Sequence, residues 1–153
     1  MTPAYDPLLI RIEQIIQKQN TREERLAEIS QLLAEHVPAF DWVGFYLVDE
    51  TRERTLLLGP YAGDPTEHTR IAFGEGICGQ AADTEATFVI QDVSQEQNYL
   101  SCSPDVQAEI VVPIFKNSVI VGELDIDSHT LHAFTAEDRT FLESVCRRLS
   151  ALF

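Results

Sequence analysis

Between Gly122 and Ser128 the chain reads Gly-Glu-Leu-Asp-Ile-Asp-Ser, directly after Val119-Ile120-Val121. Alternation of apolar and charged residues is the pattern of a strand, whose side chains point in turn to opposite faces. Leu124 and Ile126 then share one face, and Glu123, Asp125 and Asp127 share the other. Carboxylates two residues apart on a strand lie about 6–7 Å from one another. Like charges at that spacing are relieved by water, by a cation or by a raised pKa. The stretch therefore leaves two architectures. Either the acidic face is the wet side of a sheet, or it lines a pocket that accepts something positive or protonated.

The sequence just before it favours convergence. Glu109-Ile110-Val111-Val112-Pro113-Ile114-Phe115 reads as the preceding strand, and Lys116-Asn117-Ser118 as a hairpin turn. In an antiparallel hairpin the start of one strand lies beside the end of the next. Glu109 is thus expected beside Asp125 and Asp127, with Cys102 a few residues upstream in a polar loop that runs from Gln91 to Pro104. A thiol among Ser101, Ser103 and Pro104 does not read as a core residue, and exposed free thiols are uncommon.

Other segments frame this hairpin. Asp41–Val48 reads as a strand with Val43, Phe45 and Leu47 on one side and Trp42, Gly44 and Tyr46 on the other. Two aromatics flanking a glycine either leave a shallow aromatic slot or pack under a helix. Leu56-Leu57-Leu58 is a short strand closed by Gly59-Pro60, and residues 60–70 form a polar loop with two prolines, a candidate lid. Ile71-Ala72-Phe73 and Thr87–Ile90 are brief strands on either side of a short helix from Ile77 to Ala82. Cys78 falls in the first turn of that helix. There it is either a thiol whose pKa the helix dipole lowers or a small buried residue under the turn.

Helical periodicity marks both ends of the chain. Leu8, Ile12, Ile15 and Ile16 form one stripe between Pro7 and Lys18. Leu26, Ile29, Leu32 and Leu33 form another, opened by a capping box of Thr21 and Glu24 and ended at Val37-Pro38. Phe141, Leu142, Val145 and Leu149 form the third, capped by Thr135 with Asp138, and Cys146 lies beside that core face.

Composition excludes several functions. With 25 acidic against 11 basic residues the net charge is −14, which repels nucleic acid and anionic membranes. No run of about 18 apolar residues marks a membrane span, and no signal peptide is visible, so a reducing cytoplasm is expected. Three cysteines, Cys78, Cys102 and Cys146, do not describe a disulfide framework or a zinc motif. His129 and His132 lie three apart but lack a third ligand, so solvated turn histidines are expected and no metal site.

The order of elements resembles a GAF domain. More narrowly, the chain is similar to the free methionine-(R)-sulfoxide reductases, which use that fold. The matching pieces are Trp42-Val43-Gly44-Phe45-Tyr46, Gly59-Pro60, Thr69-Arg70-Ile71, Gly74-Glu75-Gly76-Ile77-Cys78-Gly79, Cys102, Glu109–Pro113 and Leu124–Ser128. The resemblance implies an α+β fold over residues 1–153. Its central antiparallel sheet carries the N- and C-terminal helices on one face. Helices fill residues 1–38, the sheet and site residues 40–130, and a last helix residues 135–151.

It also implies an activity, the reduction of free L-methionine-(R)-sulfoxide to methionine. Cys102 would attack the sulfoxide sulfur. Glu109, Asp125 and Asp127 would hold the substrate and handle protons, and Trp42 and Tyr46 would shape the methyl-sulfoxide pocket. No bound cofactor is implied. An external thioredoxin-type reductant would reduce the disulfide that forms, and the terminal helices would pair two copies of the chain. Many members carry a recycling cysteine just before the Thr-Arg-Ile run, and here that position is His68. His68 either orients a proton or is a loop histidine. Rescue of oxidised Cys102 then falls to Cys78 or to an external thiol. The alternative function is a non-catalytic GAF module that binds a small ligand or senses redox state.

Overall fold

The computed structural model describes residues 5–100 and 103–153. Two helices open the chain, α1 (Tyr5–Ile16) and α2 (Arg22–His36), followed by strands β1 (Trp42–Val48), β2 (Thr55–Ala62) and β3 (Arg70–Ala72). Helix α3 (Gly76–Thr84) and strand β4 (Phe88–Ile90) lead to the hairpin of β5 (Ala108–Lys116) and β6 (Val119–Ser128), and α4 (Ala136–Leu149) follows. The strands form one antiparallel sheet in the order β3-β2-β1-β6-β5-β4. The α+β architecture expected from the sequence is therefore the one observed. Among the described residues no helix is long and apolar enough to cross a membrane.

The terminal helices cover one face of the sheet. The stripes of α1, α2 and α4 bury against Val43, Phe45, Ile110, Val112, Ile114, Leu124 and Ile126, all the inward residues of alternating strands. Thr21 caps α2 by accepting from the Glu24 N–H at 3.1 Å. Thr135 and Asp138 close a full capping box on α4. Tyr5 stacks on Phe141 with ring centroids 3.9 Å apart and donates its hydroxyl to Asp138, which ties α1 to α4. Cys146 lies in this core, its thiol 3.7 Å from the Val112 carbonyl, as its place beside the α4 stripe leads one to expect.

Helix α3 covers the opposite face, over β5 and β6. Its core holds Trp42, Tyr46, Ile71, Ile77, Cys78 and Val111, together with the acidic side of β6. Gly79 makes this approach possible. A Cβ there would stand 2.4 Å from the Ala72 carbonyl oxygen, so any larger residue would push α3 off β3.

One strand boundary differs from the sequence expectation. Gly59-Pro60 lies inside β2 rather than closing it. The β1–β2 register shifts between Gly44 and Tyr46, where Gly59 and Pro60 sit opposite Phe45 without a paired partner. A bulge tolerates the missing proline N–H, so the strand continues through a dipeptide that ordinarily ends one. The loop read over residues 60–70 begins accordingly only after Ala62.

Candidate functional site

The β5–β6 hairpin gathers the acids as its alternation dictates. Asn117 and Ser118 both have positive φ, the geometry of a two-residue turn matched to strand twist. The register that follows places Glu109 opposite Asp127 and Val111 opposite Asp125. On its other side β6 meets β1, with Trp42 opposite Asp127, Gly44 opposite Asp125 and Tyr46 opposite Glu123. Because all of these face α3, the carboxylates are enclosed. Glu109 is 5% exposed, Glu123 0%, Asp125 1% and Asp127 2%. The wet-face reading is thereby excluded. Glu123, which the family motif left as a candidate rim residue, is instead the most deeply buried of the four.

Enclosure sets the protonation of the cluster. Burial, and then the Asp125 charge, push the Glu123 and Asp127 carboxyls well above the usual carboxylate range. Asp125 is also raised by burial, with Glu109 and Cys78 contacts opposing the rise. Neither Glu123 oxygen and not the Asp125 Oδ1 has a hydrogen-bond partner among the described residues. An unpaired buried carboxylate is strongly disfavoured, so these groups hold protons or await a cation.

Cys78 joins the cluster from the first turn of α3. Its Sγ lies 4.0 Å from Glu109 Oε2, and atoms of Cys78, Glu109 and Asp125 all lie within 4.8 Å of one another. The helix start does not activate this thiol, contrary to one of the sequence expectations. Burial first, then the charges of Asp125, Glu123, Glu109 and Asp127, push its pKa well up. A helix dipole contributes about 0.3–1 kcal/mol, less than one pKa unit, and cannot offset desolvation beside four carboxyls.

The aromatic pair departs from the open slot. A Cβ on Gly44 would stand 2.4 Å from the Trp42 ring, so the space between the aromatics is filled by Trp42 itself. Trp42 stacks on Tyr61 at 5.3 Å and donates its Nε1–H to the Asp64 carbonyl at 2.9 Å. Tyr46 is fully buried, and its hydroxyl donates to the His68 carbonyl at 2.8 Å, holding the 63–69 loop over the acids. The sequence-derived residues thus fall into two recesses. Tyr46, His68, Cys78, Glu109 and Asp125 line a cavity of about 10 Å³, the order of room a single water needs. Trp42 and Asp127 line a recess of about 230 Å³ with Ser103, the residue after Cys102. Cys102 itself lies outside the described residues.

Two residues of the site carried no local signal. Leu100 lines the smaller cavity, and a Cβ on Gly76 (φ +66°) would stand 2.8 Å from its Cγ. Asn98 fastens that segment by accepting from the Gly76 N–H at 2.8 Å and donating to the Gly74 carbonyl at 2.7 Å. Both act across more than twenty residues of sequence. Only the paired glycines of Gly74-Glu75-Gly76, which admit something close, hinted at a partner.

Comparison with known proteins agrees with this fold. The GAF domain family model matches residues 19–153. "GAF domain-containing protein A" of Dictyostelium discoideum is 38% identical over 145 residues, covering 95% of this chain and 89% of the relative. The free methionine-R-sulfoxide reductase of Escherichia coli is 36% identical over 124 residues, 81% of this chain and 73% of the relative. Among solved structures, the free methionine-R-sulfoxide reductase from Neisseria meningitidis in complex with its substrate superposes with a TM-score of 0.91. The identity there is 36%, over 97% of this chain and 87% of that one.

Proposed function

The chain belongs to the GAF domain family, and from that premise we propose that it is an enzyme that reduces free L-methionine-(R)-sulfoxide to L-methionine. The observation that carries the reading is the buried convergence of Glu109, Asp125 and Asp127. Free methionine sulfoxide brings an ammonium group, a counter-charge that buried carboxylates favour. Relatives of 36% identity bearing the reductase name support the same substrate.

The chemistry assigns a role to each group. The thiol of Cys102 attacks the sulfoxide sulfur. The substrate S–O bond breaks, the substrate sulfur gains an electron pair, and the oxygen leaves on Cys102 as a sulfenic acid. A carboxyl held protonated by burial, Asp127 or Asp125, donates to the departing oxygen. A second thiol then displaces water from the sulfenic acid to give a disulfide. A thioredoxin-type dithiol, in a reducing cytoplasm, exchanges with that disulfide and restores the enzyme. Cys78 serves as the second thiol by giving its proton to Glu109, or an external thiol takes its place. Trp42 shapes the substrate recess, and Tyr46 acts through His68 by holding its loop. No resident cofactor takes part. Two copies of the chain pair through the terminal helices.

The small size of the cavity implies a movement. About 10 Å³ does not hold an amino acid, so Leu100 moves off Gly76 when substrate enters. Closure afterwards excludes water and strengthens the charge interactions inside.

Cys102→Ser tests the assignment. It is expected to abolish turnover of free methionine-(R)-sulfoxide, and full retained activity overturns the nucleophile. After substrate oxidation the intact mass of the parent protein falls by two hydrogens. The same loss in Cys78→Ala would assign the second thiol elsewhere. A second reading, a ligand-binding module without turnover, is favoured by His68 standing where the recycling cysteine is expected. It predicts binding of the sulfoxide without product.

A further inference from the structure

We propose that Cys78, Glu109, Asp125 and Glu123 form a binding site for a thiophilic divalent cation of the zinc or cadmium class. Three ligand atoms, one each from Cys78, Glu109 and Asp125, already lie within 4.8 Å of one another. Around a tetrahedral zinc, thiolate and carboxylate ligand atoms stand about 3.6 Å apart. The 4.0 Å separation of Cys78 Sγ and Glu109 Oε2 therefore closes to that geometry by a side-chain adjustment of about half an ångström.

A second observation points independently to a ligand. Glu123 is 0% exposed, faces α3 beside Asp125, and neither of its oxygens has a partner among the described residues. The Cys78 thiol is the polar group that bears on it from α3. The Asp125 Oδ1 is likewise unpartnered. The Glu123 carboxyl supplies the fourth ligand. A thiolate with carboxylates suits borderline-soft cations over magnesium or calcium, which favour all-oxygen sets. Their charge also balances. One thiolate and the Glu109 and Asp125 carboxylates leave the bound site at −1, with Glu123 coordinating as the neutral acid through its carbonyl oxygen and Asp127 protonated.

The positions of the four ligands are fixed by rigid elements. Glu109, Glu123 and Asp125 ride on paired strands, and Cys78 rides on α3, which Gly79 seats directly against β3. Binding follows from this geometry alone. That a bound ion excludes the substrate ammonium, and so inhibits, rests on the functional reading above.

The test uses the full chain carrying Cys102→Ser, so that only Cys78 and Cys146 remain as thiols. Titration with Cd²⁺ in a chelator-free buffer is followed through the thiolate-to-cadmium absorption band. The expected result is a band that saturates at one ion per chain and is displaced by Zn²⁺. Adding Cys78→Ala abolishes it, and Asp125→Asn or Glu123→Gln weakens binding about tenfold or more, a loss of about 1.4 kcal/mol. No saturating band, a band that survives Cys78→Ala, or affinity unchanged in both carboxyl variants overturns the site. Where Cys78→Ala fails to fold, the two carboxyl variants decide alone. Loss of reductase activity in the parent chain leaves this outcome untouched, because the readout is binding.

Discussion

The two faces of β6 are equally buried and chemically opposite. Leu124 and Ile126 on the helix-covered side are 0% exposed, and Glu123, Asp125 and Asp127 on the α3 side are 0–2% exposed. The first set packs against α1, α2 and α4 and stabilises the chain by removing apolar surface from water. The second set must give up hydration, and its carboxyls answer with raised pKa values. Burial by itself therefore does not separate core from site. What separates them is whether the buried group has been given what it needs, and on the α3 side three carboxyl oxygens have no hydrogen-bond partner among the described residues.

Adjacent residues on one strand make this comparison breakable. The largest effect is expected from Leu124→Ala, which leaves a cavity in the helix-covered core. Stability measured by denaturant titration falls by about 2–5 kcal/mol, while kcat/KM of the folded fraction is unchanged. One residue on, Asp125→Asn reverses the pattern. Stability holds or rises, and kcat/KM for free methionine-(R)-sulfoxide falls about a hundredfold, near 2.7 kcal/mol. Comparable activity losses in both variants would mean that the two faces are not functionally distinct.

Glu123→Gln gives the smallest and most diagnostic change. Burial, and then Asp125, hold the Glu123 carboxyl above its unfolded value, so the folded chain keeps a proton that the unfolded chain releases. The stability from that proton is fully present below the unfolded glutamate pKa of about 4.3 and is lost as pH rises through the folded one. Glutamine cannot ionise. The variant is thus expected to melt several degrees higher than the parent at about pH 7 and nearly level with it at about pH 4. Equal melting differences at both values would remove the buried-proton account.

Much of this is legible in the sequence. The alternation in Gly122–Ser128 gave the two faces, and the turn at Asn117-Ser118 brought Glu109 to Asp127. Both are local signals, set by a period of two and by a short turn. Cys146 and the stripes of the three long helices were legible for the same reason. What escaped was contact across sequence distance. The spacing of Trp42 and Tyr46 does not reveal that the Trp42 ring folds over Gly44 to stack on Tyr61. Helix position suggested a lowered Cys78 pKa, but four carboxyls arriving from β5 and β6 decide the sign. Leu100 and Asn98 join the site from a loop whose composition reads only as polar.

The acidic face is the substrate site on this account, and one assay tests it most directly. Purified protein is supplied with thioredoxin, thioredoxin reductase and NADPH, then with free L-methionine-(R)-sulfoxide or the same residue inside a peptide. Within a peptide the ammonium becomes an amide and the buried carboxylates lose their cation. NADPH oxidation is expected with the free amino acid and not with the peptide. No turnover of the free form, or equal turnover of both, would contradict the assignment of Glu109, Asp125 and Asp127 to substrate recognition.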